Sequence, residues 1–422
     1  MKLRSSASRL SGEISIPASK SHTIRAVAIA SVAQGISVLK NPLMSDDAQS
    51  AISGAREIGA SVELGAHWRI KGIGKAPGAG CRYIDVGNSG TSLRILTGLC
   101  ALGEHPVTFD GDKSIRQRPM QPLLTALENL GATVVRSTDG KCPFTLLGPL
   151  KGGTTRVSGI SSQFLTALLI ACPLAPGDSE ITVDNLNEKP YVEITLDWLQ
   201  RLGIRFEHRG LDWFRVFGGQ HYPAFERHLP ADFSSATFPL CGAAITGSNI
   251  LIKGLDFEDH QGDKAVFTYL QQMGMQFSHT AEGVIVAGGS LKGIDIDMNS
   301  TPDALPAMAV TACFAKGITR LLNVPQARLK ECDRIAAATK ELRKMGAHIE
   351  ELPDGMVIHQ SRLQGTEVHG YDDHRMVMSL AIAGMAAAGE TIVDTAESAG
   401  VTYPTFVEDM RHLGADLTLL NS

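Results

Sequence analysis

The sequence predicts an α/β protein built from six small modules, three to each of two domains, and three observations lead there. The first is length: 422 residues exceed the size at which a single core usually keeps growing. The second is a repeat. A helix-like segment closing on an apolar residue and a glycine, followed by a short strand, recurs at Ile58-Gly59-Ala60, Leu130-Gly131-Ala132, Leu202-Gly203-Ile204, Met273-Gly274-Met275, Met345-Gly346-Ala347 and Leu413-Gly414-Ala415. The glycines lie 72, 72, 71, 72 and 68 residues apart. The third is another helix in register with the first, starting near Ser21, Ser89, Ser161, Ser234, Pro302 and Asp373 and ending by Gly35, Gly103, Gly177, Gly247, Gly317 and Gly389. So long a period exceeds that of the usual solenoid repeats, which favours separate modules over a stacked rod.

Each element has its own reason. The repeated glycine stands where a helix needs a left-handed residue just past its end, and Val62, Val134 and Phe206 follow at strand spacing. Helices of the second series are rich in Ala, Leu, Ile and Met around much of their circumference, so they belong in the interior. Short Val/Ile/Thr strands, such as 37–39, 107–109, 180–183 and 391–393, lie between them. A module therefore reads strand, helix, strand, helix and further strands. The break between the third and fourth modules falls near residues 225–230. Residues 13–228 then form one domain and 1–12 plus 229–422 the other, with two chain crossings and a ligand site expected in the interdomain cleft.

Composition narrows the partners. A net charge of −5 argues against general nucleic-acid binding, which relies on a broad basic surface. Any anion site must be local. Seven cysteines, odd in number and without a CxxC pair, suggest neither a disulfide framework nor a zinc cage and fit a reducing cytoplasm. No apolar run approaches the ~18 residues of a membrane span, and residues 1–12 lack the apolar core of a secretion signal.

Chemistry concentrates at the starts of the second helix series. Ser19-Lys20-Ser21 with Arg25 sets hydroxyls and cations around a helix N-terminus, where free amides and the dipole favour an anion. Asn88-Ser89-Gly90-Thr91 offers close backbone approach at Gly90, Ser161-Ser162-Gln163 offers hydroxyls, and Asp373-His374-Arg375 adds a cation. Arg116 and Arg118 precede Pro119, Asp303 follows Pro302, and Lys330-Glu331-Cys332-Asp333-Arg334 mixes both signs. Taken singly, each cluster equally suits a helix cap or a solvated ion pair, with Glu331 and Arg334 at i, i+3 spacing on a helix. Gly72-Ile73-Gly74-Lys75-Ala76-Pro77-Gly78 is not GxGxxG, and Glu258-Asp259-His260 with Asp263 matches no standard metal set and reads as a surface loop.

Together and in this order, these clusters resemble the 5-enolpyruvylshikimate-3-phosphate synthase family over essentially the whole chain. The match takes in Ser19-Lys20-Ser21 with Arg25, Ser45-Asp46-Asp47, Asn88-Ser89-Gly90-Thr91 with Arg94, Arg118-Pro119, Ser161-Ser162-Gln163-Phe164, Lys189-Pro190-Tyr191, Pro302-Asp303-Ala304, Lys330-Glu331 with Asp333-Arg334, and Asp373-His374-Arg375-Met376. The resemblance implies a two-domain inside-out α/β barrel of six βαβαββ modules, and transfer of the carboxyvinyl group of phosphoenolpyruvate to the 5-hydroxyl of shikimate 3-phosphate without cofactor or metal. It implies Asp303 as base for the hydroxyl and Glu331, assisted by Lys20 or Lys330, for proton transfer at the methylene. Shikimate 3-phosphate falls to Lys20, Ser21, Arg25, Ser161, Ser162, Gln163, Tyr191, Asp303, Gln326 and Lys330. Phosphoenolpyruvate falls to Lys20, Asn88, Gly90, Arg118, Gln163, Arg334, His374 and Arg375. A monomer acting on small molecules in the cytoplasm is implied.

Several positions depart from the family pattern. Val401 stands where many members carry a lysine before Thr402-Tyr403-Pro404, and no lysine follows Lys344. Glu188 replaces a common serine three residues before Tyr191, a poor neighbour for a phosphate unless turned away; Gln326 replaces an asparagine and Ile95 a proline. Gly90 is kept, which suits binding of the inhibitor glyphosate. The sister transferase acting on UDP-N-acetylglucosamine carries a catalytic cysteine before its Arg-Pro pair. Residues 112–118 hold none, with Lys113 at that place. An RNA-terminal phosphate cyclase is disfavoured by the acidic balance, and a non-catalytic phosphate binder leaves Asp303 and Glu331 without a purpose.

Overall fold

The computed structural model describes every residue except 75, 79, 421 and 422, so position 75 of the glycine-rich stretch at 72–78 lies outside the described residues. The chain divides into two compact units, Ala18–Pro230 and Met1–Pro17 with Ala231–Ser422.

The unit Ala18–Pro230 holds α1 (Lys20–Val32), α2 (Asp46–Glu57), α3 (Gly90–Cys100), α4 (Gln121–Asn129), α5 (Ser162–Ala171) and α6 (Lys189–Arg201). Its three four-stranded sheets share one plan. In the second, Tyr83–Asp85 pairs parallel with Val107–Asp110, which pairs antiparallel with Lys141–Leu147, which in turn pairs with Thr133–Thr138. The chain order is thus βαβαββ, with α3 and α4 between the strands. The other unit repeats the plan with α7 (Phe233–Thr246), α8 (Ala265–Met273), α9 (Leu305–Phe314), α10 (Arg334–Lys344), α11 (His374–Gly384) and α12 (Phe406–His412).

Two kinds of helix alternate because two kinds of sequence do. Residues 90–100 of α3 and 374–384 of α11 are buried on every side, whereas α2 and α10 keep an exposed polar face. Buried helices pack on one another within each unit, α3 against α5 and α9 against α7 and α11, while the sheets alternate buried and exposed residues outside them. Gly98 permits the α3–α5 contact, since a Cβ there would lie 2.8 Å from the Ala167 carbonyl oxygen. The six repeated glycines take φ between +71° and +117°, the left-handed conformation their spacing predicts.

The unit boundaries fall slightly away from those read in the sequence, after residue 17 rather than 12 and after 230 rather than 228. The reason is a strand: Glu13–Ser15 pairs parallel with Asn249–Lys253, and Lys2–Ser6 pairs with Thr391–Val393 and Asp416–Leu420. Both N-terminal strands therefore complete sheets of the second unit. In return Glu226–His228 pairs with Ile36–Lys40 and completes the first sheet of the Ala18–Pro230 unit.

Candidate active site

In the unit Ala18–Pro230, the starts of α1, α3 and α5 carry the expected polar residues. Lys20 opens α1 and pairs with Asp47 of α2 at 3.1 Å. Arg25 lies one turn further and is buried, so it is no solvated cation. Its Nε donates to Thr195 Oγ1 at 3.0 Å, Nη1 to the Ser21 carbonyl at 3.0 Å, and Nη2 to Thr166 Oγ1 at 3.3 Å and the Tyr191 carbonyl at 2.9 Å. Burial lowers its pKa to about 10, with Tyr191 pulling weakly the other way. Arg25 thus ties α1 to α5 and α6 and sets the place of Ser21 and Tyr191.

Gly90, the first residue of α3, has a steric reason. A Cβ there would lie 2.5 Å from Arg118 Nη1 and 2.6 Å from Arg94 Nη1. Two buried guanidinium groups therefore lie over the positive end of α3, an arrangement that draws an anion. Arg94 is held by the carbonyls of Gly90 at 3.1 Å and Pro119 at 3.0 Å. Asn88 donates to Asp112 at 2.6 Å. At α5, Ser161 caps Gln163 N, and Gln163 Nε2 reaches Thr91 of α3 at 3.2 Å, leaving the buried Gln163 Oε1 without a hydrogen bond.

The other unit carries an ion network centred on Arg334, which is 1 % exposed. Its Nη1 donates to Asp303 Oδ1 at 2.8 Å, Nη2 to Glu331 Oε2 at 2.6 Å, and Nε to Asp373 Oδ2 at 2.8 Å. Arg375 Nη2 reaches Asp303 Oδ2 at 3.4 Å, and Lys330 Nζ lies 3.9 Å from Asp303 Oδ1. Burial works against the Arg334 charge, but Asp373, Glu331 and Asp303 together raise its pKa well above the ordinary value. Asp373 also caps α11 by accepting from Arg375 N and Met376 N. Gln326 is buried, with Nε2 on the Asn299 carbonyl at 2.9 Å, and His374 is the buried first residue of α11.

Two of the simpler alternatives give way, and one departure from the family pattern finds its place. Glu331 and Arg334 do pair, but Glu331 precedes α10, which Asp333 caps, and the pair joins a buried arginine to a part-buried carboxylate rather than forming a solvated helical face. Asp303 is not the N-cap residue of a helix: it lies within a 3-10 turn, Pro302–Ala304, and turns its carboxylate to three cations. Glu188 is not turned out to solvent; it is 1 % exposed and accepts from Ser162 Oγ at 2.8 Å.

Comparison with known proteins decides the family. A family model described as EPSP synthase (3-phosphoshikimate 1-carboxyvinyltransferase) matches residues 5–410. The chain belongs to the EPSP synthase family. It is 49% identical over 420 residues to the 3-phosphoshikimate 1-carboxyvinyltransferase of Acetivibrio thermocellus, covering 99% of each chain, and 42% identical to that of Methanocaldococcus jannaschii, covering 97% of each. The solved EPSP synthase of Acinetobacter baumannii superposes with a TM-score of 0.83 at 26% identity, covering 100% of both chains. As an EPSP synthase, the chain transfers the carboxyvinyl group of phosphoenolpyruvate to shikimate 3-phosphate in the shikimate pathway.

One residue near the EPSP synthase network escaped the sequence reading. Asp263, placed there in a surface loop, is 3 % exposed and bonded to Ser234 of α7. Burial, then the nearby charge of Asp303, pushes its carboxyl up to about 7. The available signal was Ser234, a start of the buried helix series, which the 3-10 turn Gly262–Lys264 approaches through Asp263.

Proposed function

We propose that the Arg334 network carries the proton transfers of the reaction, with Asp303 as the base that takes the acceptor hydroxyl proton. In the overall change the hydroxyl oxygen bonds to the central carbon of phosphoenolpyruvate and the carbon–phosphate oxygen bond breaks. The methylene is protonated on the way in and deprotonated on the way out. Glu331, assisted by Lys20 or Lys330, handles that proton. The observation that carries this reading is the sharing of one buried guanidinium by Asp303 and Glu331. Such a neighbour fixes both carboxylates in place beside one another, as positioned proton transfer requires.

Binding falls on the same groups. Ser21, Arg25, Ser161, Ser162, Gln163 and Tyr191, with Lys20, Asp303, Gln326 and Lys330, take shikimate 3-phosphate. Asn88, Gly90 and Arg118, with Lys20, Gln163, Arg334, His374 and Arg375, take phosphoenolpyruvate. The paired guanidiniums over α3 and the hydroxyls of α5 support this, since both are donors suited to carboxylate and phosphate. We take the enzyme to act as a monomer in the cytoplasm, on these two small molecules and with no cofactor. No helix among the described residues is long and apolar enough to cross a membrane.

The test is Asp303→Asn and Glu331→Gln, each assayed for turnover and for shikimate 3-phosphate binding by calorimetry. The reading expects turnover to fall by about 10²-fold or more with acceptor binding retained. Near-normal turnover in both would remove them from these roles.

A further inference from the structure

Glu188 sits in an unusual setting. It immediately precedes α6 with φ +56°, a conformation that residues with a side chain rarely adopt. The backbone on both sides is fixed: Asn187 N donates to the Gly159 carbonyl at 2.9 Å, and Tyr191 N to the Glu188 carbonyl at 3.1 Å. Leu186 lies so close to Gly159 that a Cβ on that glycine would fall 2.4 Å from the Leu186 Cα. The side chain does not cap its own helix. It crosses to the start of α5, where Glu188 Oε2 accepts from Ser162 Oγ at 2.8 Å and from Ser162 N at 3.4 Å.

Those two donors are what a phosphate would use at α5. The neighbouring amide, Gln163 N, already donates to Ser161 Oγ. A carboxylate and a phosphate dianion cannot share one serine hydroxyl and amide without repulsion between like charges. We infer that Glu188 is a specificity-determining residue of the acceptor site, an internal carboxylate that holds the Ser162 hydroxyl and amide until a phosphate monoester displaces it. It touches none of the reacting atoms. Its charge lowers affinity for the phosphorylated acceptor far more than for an acceptor without the phosphate, and so narrows the preference between the two. The inference rests on the reading that Ser161 and Ser162 receive the phosphate of shikimate 3-phosphate.

Two variants test it. Glu188→Gln keeps shape and removes charge; Glu188→Ser removes both. Calorimetry on the full-length enzyme measures Kd for shikimate 3-phosphate and for unphosphorylated shikimate, and kinetics separates KM from kcat. Both variants are expected to bind shikimate 3-phosphate about tenfold more tightly, with little change for shikimate and with the effect in KM rather than kcat. Unchanged or weaker binding of shikimate 3-phosphate in both variants would overturn the inference. Ser162→Ala, measured alongside, separates the two levels. If it leaves the shikimate 3-phosphate Kd unchanged, the phosphate does not sit at α5, and both the reading and the inference fall. If it weakens binding while the Glu188 variants show no gain, the reading stands and the inference alone is lost.

Discussion

Arg334 and Asp303 are joined by a 2.8 Å bond from Nη1 to Oδ1, and the same guanidinium reaches Glu331 and Asp373 through its other nitrogens. One planar fork therefore orders three acidic side chains that are far apart in sequence. A single ammonium cannot replace it, because a lysine offers one point of charge where three directions are needed. Arg334→Lys is expected to lower kcat by about 10²-fold and stability by about 3 kcal/mol, since carboxylates are left buried and under-partnered. Thermal unfolding together with steady-state kinetics checks both; loss of stability alone, with kcat intact, would make the network merely structural.

Gly90→Ala addresses the other anion site. The new methyl would fall 2.5 Å from Arg118 Nη1 and 2.6 Å from Arg94 Nη1, so both guanidiniums must move off the α3 terminus. The side chains can give at their ends, so the fold survives. We expect KM for phosphoenolpyruvate to rise by about tenfold or more while KM for shikimate 3-phosphate stays within about twofold. Initial-rate kinetics with each substrate varied in turn measures the split.

Asp263 makes a pH prediction. Its carboxyl is raised to about 7 in the folded protein, above the ordinary value near 3.8. The folded state therefore retains a proton that the unfolded chain has already released. Stability is full below the unfolded pKa, falls as pH rises from about 4 to about 7, and levels off above that. Asp263→Asn, which stays neutral and still accepts from Ser234, removes this slope. The wild type minus variant difference should change by up to about 4 kcal/mol across that window, in denaturant titrations at stepped pH. A flat difference would mean that Asp263 ionises normally in its buried place.

What the sequence made legible was the periodic part. Glycines such as Gly59 and Gly346 lie at helix ends that only a left-handed residue closes easily, so spacing alone located the modules, and helices apolar all round had to be inside. The ionic interior was less legible. Charge patterning assumes solvated side chains, so Arg25 and Arg334, taken singly, suited surface cations as well as ligands, whereas each is buried and bonded to partners from distant segments. Asp263 hid in an acidic stretch with Glu258 and Asp259, and only the approach of its 3-10 turn to the start of α7 gives it a distinct environment. Glu188 was recognisable as a departure, but its contact with Ser162 depends on a backbone turn at positive φ that the sequence does not announce.

The central claim is the reaction, and stoichiometric release of phosphate tests it most directly. Purified enzyme is mixed with phosphoenolpyruvate and one acceptor at a time, and phosphate is counted against acceptor consumed. The account predicts one phosphate for each shikimate 3-phosphate converted and none with phosphoenolpyruvate alone. Release with UDP-N-acetylglucosamine and not with shikimate 3-phosphate would contradict it.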